Sequence, residues 1–140
     1  MSNFIKSYQA NVGLNHVPAY QVSGQPFAEV VTVPSNGSVV KVEFPYVTRW
    51  FCIHNNTDGE VVRVSFSENG MSSGNYFRVH SKTDHTGYSP VFETKVSEIY
   101  LMVDDSSEIS VDVIAGLTSI PASRTATDSG PSWSGSAGVG

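Results

Sequence analysis

Histidines are the first residues in this sequence to consider for chemistry, because an imidazole can bind a metal ion or transfer a proton near neutral pH. The chain has four, at His16, His54, His80 and His85. A metal site of the cupin type needs an H-x-H pair, a glutamate a few residues later and a further histidine. No H-x-H pair occurs, and a solvated polar loop accounts for Asp84 and Glu93 near His80 and His85. We therefore expect no metal site and no cofactor.

Nucleophilic catalysis also lacks a matching pattern in the sequence. The stretch GLTSIPAS has neither the spacing of a G-x-S-x-G elbow nor a helix to follow it. The single cysteine, Cys52, excludes an intrachain disulfide and fits a small hydrophobic residue in a strand. A tight turn explains the adjacent acids Asp104 and Asp105. Glycine-rich phosphate loops are absent, so we expect no catalytic residues and no enzymatic activity.

Composition and charge exclude further classes of protein. A net charge of −5 leaves no strongly basic surface for phosphates, so we expect no nucleic-acid partner. No run of about 18 apolar residues occurs, which predicts no membrane-spanning segment. The N-terminal residues are too polar for a signal peptide, so we expect a chain that is made in the cytoplasm and is not secreted. Charged residues make up only 15 % of the chain, a profile that favours β-sheet over long helices.

Apolar and polar residues alternate in short segments, and a period of two is typical of strands with one buried face. For example, Val62 and Val64 share one face while Arg63 and Ser65 share the other. Turn residues separate eight such segments: 26–33, 38–44, 48–55, 60–67, 75–80, 90–96, 97–103 and 108–116. They predict an all-β, eight-stranded antiparallel sandwich domain at 25–117. We favour a single jelly roll, although a barrel also satisfies the pattern.

Both ends of the chain differ in composition from this domain. Residues 1–24 are polar and irregular, and residues 118–140 are rich in glycine and serine, so we interpret both as irregular arms. Trp133 lies in the middle of the C-terminal arm, where a purely flexible chain has no use for a large indole. We interpret Trp133 as an anchor that binds a neighbouring subunit. The alternative is a disordered tail with an incidental tryptophan.

Aromatic residues of the domain suggest a separate hypothesis. Trp50 lies on the opposite face of its strand from Phe51 and Ile53, so it is exposed or covered by a partner if those two residues point inward. Several aromatic side chains are candidates for a platform that stacks sugar rings, with ordinary core packing as the alternative. These candidates are Trp50, Tyr76, Phe77, Tyr88, Phe92 and Tyr100.

The pattern as a whole resembles a known family. An acidic eight-strand domain with irregular arms, ending in AGLTSIPASR and then GPSWSGSAGVG, is similar to the single jelly-roll capsid proteins of icosahedral double-stranded DNA viruses. Penton proteins and minor or cement proteins are the most similar types. The resemblance implies a structural virion protein, located in the capsid, that forms penton-like vertex capsomers by self-association as homopentamers. It also implies that the arms contact neighbouring major and minor capsid proteins.

This hypothesis assigns assembly contacts to a small set of residues: Phe4, Tyr8, Trp50, Arg124 and Trp133. Arg124 is the only positive charge after Lys95, which makes it a partner for an acidic neighbour. The alternative function is a glycan- or receptor-binding β-sandwich module of a virion fibre or surface. A cupin-like enzyme is a third class, and the missing H-x-H pair argues against it.

Overall fold

Alternating apolar residues form the strands of two facing sheets. The computed structural model describes residues 13–18, 24–81, 83 and 86–140. Its strands are β1 (Gln25–Val33), β2 (Val40–Glu43), β3 (Tyr46–Asn55), β4 (Val62–Ser65), β5 (Tyr76–Val79), β6 (Glu98–Val103) and β7 (Ile109–Pro121). Its named helices are α1 (Glu68–Ser73) and a 3₁₀ helix (Ala122–Thr125). No helix in these described ranges is long and apolar enough to cross a membrane.

The strands pair into two antiparallel sheets. The first sheet has the order β1-β7-β3, and the second has the order β2-β6-β4-β5. Every neighbouring pair of these strands is antiparallel. The prediction of an all-β fold with antiparallel sheets is therefore confirmed, with seven strands rather than eight in the described part of the chain.

Residues 90–96, predicted as a strand, lie beside β3 without forming a continuous ladder. Phe92 exchanges two backbone hydrogen bonds with Phe51, at 2.8 and 3.0 Å, and Thr48 N donates to Val96 O at 2.9 Å. The hydroxyl of Thr48 also accepts a hydrogen bond from Val96 N at 3.1 Å. The register of β3 shifts on both sides of Thr48. These shifts are in the pairing of β3 with β7; on its other side, β3 has only isolated bridges, Phe51 with Phe92 and His54 with Tyr88.

Helix α1 occupies a stretch, ENGMSSG, that the sequence predicts as a loop. Ser67 caps its N-terminus, because the side-chain oxygen accepts a hydrogen bond from Gly70 N at 3.0 Å. Gly74 ends the helix in the left-handed region at φ 84°, a conformation that a residue without a Cβ adopts at low cost. With six residues, the helix is too short to show a helical period in the sequence.

The core lies between the two sheets and is built from their inward faces. Eleven of its side chains have no exposed surface: Val33, Phe51, Ile53, Val62, Val64, Ile99, Leu101, Ile109, Val111, Val113 and Leu117. Burying a side chain of this kind contributes roughly 1.5–3 kcal/mol. A slip of one residue in any strand would turn these side chains outward, so the core fixes the register of both sheets.

The last strand is longer than its sequence pattern predicts and runs to Pro121. Leu117 and Ile120 in its final part are fully buried. The predicted domain end at residue 117 therefore falls inside β7. Most of the predicted N-terminal arm, 1–24, lies outside the described residues.

Candidate functional site

The C-terminal segment, residues 122–140, folds back onto the sandwich. The indole of Trp133 is half-buried and packs against the hydrophobic core. Its Nε1–H donates a hydrogen bond to the carbonyl oxygen of Lys95, and its backbone N–H donates to Thr125 O at 2.8 Å. The sequence-based hypothesis places Trp133 in a neighbouring subunit, whereas the structure places it on its own domain. The indole thus contributes to the stability of the fold.

Sharp turns allow this return of the chain. Gly135 and Gly138 have φ values of 81° and 85°, which favour glycine. Ser132 and Trp133 also have positive φ values, 52° and 63°, at a cost of roughly 1–2 kcal/mol each. Ser132 is fully buried, and its hydroxyl donates to Glu98 O at 3.3 Å. The buried hydrogen bond and the packed indole offset the strain of this turn.

The end of the C-terminal segment packs on α1. Ser67 Oγ donates to Val139 O at 2.8 Å and to Gly140 O at 2.9 Å. A Cβ added to Gly70 would lie 2.7 Å from Val139 O and 2.9 Å from Asn75 O. Both neighbours are backbone atoms that cannot rotate away. The contact between the segment and the helix therefore requires glycine at this position.

Replacing Gly70 by alanine is expected to lower the free energy of unfolding by about 1–3 kcal/mol, because the added Cβ displaces the C-terminal segment from α1. Gly13→Ala is the matched control, since a Cβ there meets no atom of the described residues within 4 Å. Urea titration followed by circular dichroism measures both variants. An unchanged midpoint for Gly70→Ala would show that the segment does not pack on the helix.

The other predicted interface residues lie on different elements. Arg124 is exposed in the 3₁₀ helix. Trp50 is half-buried on the outer face of the first sheet, while its neighbour Phe51 is fully buried in the core. Phe4 and Tyr8 lie outside the described residues. The predicted set is therefore spread over separate elements in the described part of the chain and does not form one compact site.

The outer face of the first sheet carries a patch of small and large apolar side chains, which we name the apolar face. Its members are Ala28, Val30, Trp50, Cys52 and Ile114. Val30 is 70 % exposed and Ile114 is 39 % exposed. Ala28 on β1 and Cys52 on β3 both lie directly opposite Ile114 on the central strand β7. The register of three strands thus brings these side chains onto one surface.

A charged cluster lies on the outer face of the second sheet. Asp104 Oδ1 accepts hydrogen bonds from Arg63 Nε at 2.5 Å and from Arg78 Nε at 3.2 Å. Both guanidinium groups also lie over the ring of Tyr76, at 4.7 and 5.2 Å from its centroid. Burial raises the pKa of Asp104, but the hydrogen bonds and charges of the two arginines outweigh it and hold the pKa below its usual value. Two cations share one carboxylate, so the cluster keeps a net positive charge.

This lowered pKa makes part of the stability depend on pH. The contribution of Asp104 is present above the pKa of the unfolded chain and is lost as pH falls through the lower pKa of the folded state. Asp104→Asn is expected to lower the free energy of unfolding by about 1 kcal/mol near neutral pH, with the difference from wild type shrinking below about pH 4. Denaturation at a series of pH values measures this difference in the free energy of unfolding. Asp105→Asn is the control, because Asp105 is exposed. A difference that persists at low pH would contradict the ion pairing.

A polar cleft of about 610 Å³ lies between α1 and the C-terminal segment. Hydroxyl groups such as that of Ser67 line it, together with the carboxylate of Glu68 and the ring of Tyr100. Burial and a 2.8 Å hydrogen bond to Glu98 Oε2 raise the pKa of Tyr100, so the phenol stays protonated at neutral pH. Lys41 Nζ lies 3.8 Å from the same carboxylate oxygen. The cleft is suited to a polar ligand, and one of its walls is the C-terminal segment.

His54 contacts a carboxylate and an aromatic ring. Its Nδ1 lies 3.4 Å from Asp112 Oδ2, and its ring stacks on Tyr88 with centroids 4.0 Å apart and an interplanar angle of 10°. The described residues contain no group of three or more His, Cys, Asp or Glu side chains that could hold a metal ion. His85 lies outside the described residues. The stack fixes the position of the Tyr88 ring at the surface.

Sequence reasoning missed two of these features. The cleft beside α1 depends on a helix that the sequence signals only through its caps, Ser67 and Gly74. The stack of His54 and Tyr88 depends on the placement of residues 86–96 beside β3, which no local pattern specifies. Tyr88 itself was identified as a candidate because of its residue type alone.

Known proteins give no match to this chain, either among protein-family models or among curated sequences. The candidate sites are therefore the apolar face, the charged cluster, the polar cleft and the stack of His54 and Tyr88. Of these, the apolar face is suited to protein association, and the other three are suited to polar or charged ligands.

Proposed function

We propose that this protein is a structural subunit that associates with copies of itself, as capsid-shell proteins do. The apolar face is the observation that carries this proposal. Val30 and Ile114 expose aliphatic side chains at diagonal positions of β1 and β7, with Asp112 directly opposite Val30, and Trp50 adds an aromatic ring to the same surface. Exposed apolar residues that form a continuous patch mark association surfaces more often than scattered ones do. Tryptophan is also enriched among residues that dominate binding energy.

The edge strand β1 supports association next to this face. β1 has nine residues and is the outermost strand of its sheet in the described part of the chain, and an edge strand of this length can accept another chain. Glu29 takes an inward-facing position on this strand, opposite Val113, yet it is exposed. A charged residue at an inward-facing position of an edge strand opposes the addition of strands from further chains to that edge. This arrangement favours a closed assembly through the apolar face over an open β-ribbon.

We further propose that the sandwich is a single jelly roll. Residues 88–96 lie beside β3 through the hydrogen bonds of Phe92 and Val96, on the side away from β7. If this segment counts as an eighth strand, the sheets have the orders β1-β7-β3-(88–96) and β2-β6-β4-β5. Two Greek keys wound together place eight strands in this order. The strand order thus supports the resemblance to jelly-roll capsid proteins.

The finer parts of the proposal follow from that resemblance. They are a homopentamer at a shell vertex, a location in the virion capsid, and contacts with neighbouring major and minor capsid proteins. Arg124 is exposed and available for such a contact. Phe4 and Tyr8 remain proposed contact residues.

The mass of the full chain in solution tests this proposal. Light scattering over a range of protein concentrations is expected to give the mass of five chains at the upper end. A smaller mass that grows with concentration would support self-association but overturn the pentamer. A monomer at every concentration would contradict the proposal.

A further inference from the structure

We propose that the charged cluster on the outer face of the second sheet is a binding site for a phosphate group. The binding groups are the guanidinium groups of Arg63 on β4 and Arg78 on β5. The ligand is phosphate as a free ion or as the terminal group of a small phosphate ester. This inference goes beyond the proposed self-association and uses none of the residues of the apolar face.

The two guanidinium groups lie side by side. Arg63 and Arg78 are directly opposite each other in the register of β4 and β5, so their side chains leave the same face of the sheet. Nε of each arginine donates to the same atom, Oδ1 of Asp104, at 2.5 and 3.2 Å. Because one oxygen atom accepts hydrogen bonds from both arginines, a single ligand of the size of phosphate can contact both.

The ring of Tyr76 holds both arginines in place before a ligand binds. The guanidinium carbons of Arg63 and Arg78 lie 4.7 and 5.2 Å from the centroid of this ring. A terminal nitrogen of Arg78 also donates to Tyr76 Oη at 3.2 Å. Long side chains that are already ordered lose less conformational entropy on binding. The site is therefore largely formed in the unbound protein.

The charge of the cluster favours an anion. Like charges directly opposite each other on neighbouring strands are destabilising, and the carboxylate of Asp104 neutralises only one of the two arginines. The cluster keeps one positive charge in a chain whose net charge is −5. The side chains of Arg63 and Arg78 are 24 % and 45 % exposed, so an anion can reach them from the solvent. One surplus charge suits a single phosphate group better than the many phosphates of a nucleic acid.

The number of hydrogen-bond donors favours phosphate over a carboxylate. A guanidinium group has five N–H donors. Among the described residues, Arg63 uses only Nε, and Arg78 uses Nε and one terminal nitrogen. A carboxylate has two oxygen atoms, whereas a terminal phosphate group has three, so phosphate satisfies more of the remaining donors of both arginines.

Titration of the full chain with inorganic phosphate at constant ionic strength tests the site, with amide chemical shifts in NMR spectra as the readout. A saturable change is expected in β4 and β5, and acetate is expected to bind about tenfold more weakly. Methyl phosphate distinguishes the two sources of the group. Affinity similar to that of inorganic phosphate would identify a phosphate ester as a ligand, and much weaker binding would identify the free ion; both results support the site.

Three substitutions test the roles of the charges. Arg78→Gln leaves Arg63 and Asp104 as a neutral pair, so phosphate is expected to bind at least about tenfold more weakly. Arg78→Lys keeps the charge but loses the planar fork, so its affinity is expected to lie between those of Arg78→Gln and wild type. Asp104→Asn keeps an oxygen acceptor but removes the negative charge, so phosphate is expected to bind about threefold to tenfold more tightly.

Arg124→Gln is the matched control, because it removes another exposed arginine that lies outside the charged cluster. It is expected to bind phosphate as wild type does, and circular dichroism confirms that each variant is folded. Absence of a saturable change in β4 and β5 would overturn the proposal, as would wild-type affinity in Arg78→Gln or weaker binding in Asp104→Asn. Equal affinity for acetate would overturn the assignment of phosphate. None of these outcomes depends on the mass of the assembly, which tests self-association separately.

Discussion

Replacing Trp133 by alanine is expected to lower the free energy of unfolding by about 3 kcal/mol. The indole packs against the core, and its Nε1–H donates to Lys95 O, so the substitution removes both apolar burial and a hydrogen bond. The strained turn at Ser132 then loses the contact that offsets its cost. Urea denaturation followed by circular dichroism measures the loss.

Conservative variants separate the two contributions of Trp133. Trp133→Phe keeps an aromatic ring but has no N–H donor, so it is expected to lose about 1 kcal/mol for the hydrogen bond, with any further loss due to the smaller ring. Ala137→Ser, at an exposed position of the same segment, is expected to unfold as wild type does. Wild-type stability of Trp133→Ala together with impaired assembly would instead support the sequence-based hypothesis of an anchor in a neighbouring subunit.

The double substitution Val30→Lys with Ile114→Lys is expected to weaken self-association by about 100-fold or more. Association would bury both aliphatic side chains, and two ammonium groups at that place would have to lose their water. Both residues are exposed in the single chain, so the fold is expected to change in stability by no more than about 1 kcal/mol. Sedimentation at several concentrations measures the association constant.

Val17→Lys is the matched control for this experiment, because Val17 is 62 % exposed and lies outside the apolar face. It is expected to associate as wild type does. If the association constant of the double variant equals that of wild type, the interface does not lie on the apolar face. Equal weakening by Val17→Lys would show that net charge, and not the position of the charges, controls association.

Most strands of the fold could be predicted from the sequence. The alternating apolar residues Val62 and Val64, and likewise Val111 and Val113, are buried in the structure as predicted. Their burial fixes which face of each strand points inward. The segment 90–96 has a similar composition but forms only isolated bridges. Its backbone meets the irregular part of β3, and that tertiary context is invisible in the local pattern.

The placement of the C-terminal segment could not be predicted from composition. Glycine and serine are typical of flexible chains, yet here they permit turns such as those at Gly135 and Gly138. In this chain the segment is held by contacts with the rest of the molecule, at Ser67 and at Lys95. Trp133 was predicted to anchor in a neighbouring subunit, whereas in the structure its indole donates a hydrogen bond to the backbone of Lys95 in the same chain, far away in the sequence.

The candidate sites, like the fold, could be predicted only in part from the sequence. Residue type identified Tyr88 as a candidate for binding, and residue type together with strand alternation identified Trp50. Their surroundings depend on strand register, which places Tyr88 on His54 and puts Val30 diagonally across from Ile114 on β1 and β7. The long strand β7 therefore determines the surface more than any local motif does.

Amide hydrogen exchange at low and high protein concentration tests the central proposal, association through the apolar face, most directly. We predict that exchange in β1 slows as concentration rises, because this strand carries part of the apolar face, while exchange in the distant strand β5 stays the same. Unchanged exchange in β1 at concentrations where the chain is oligomeric would contradict the proposed interface.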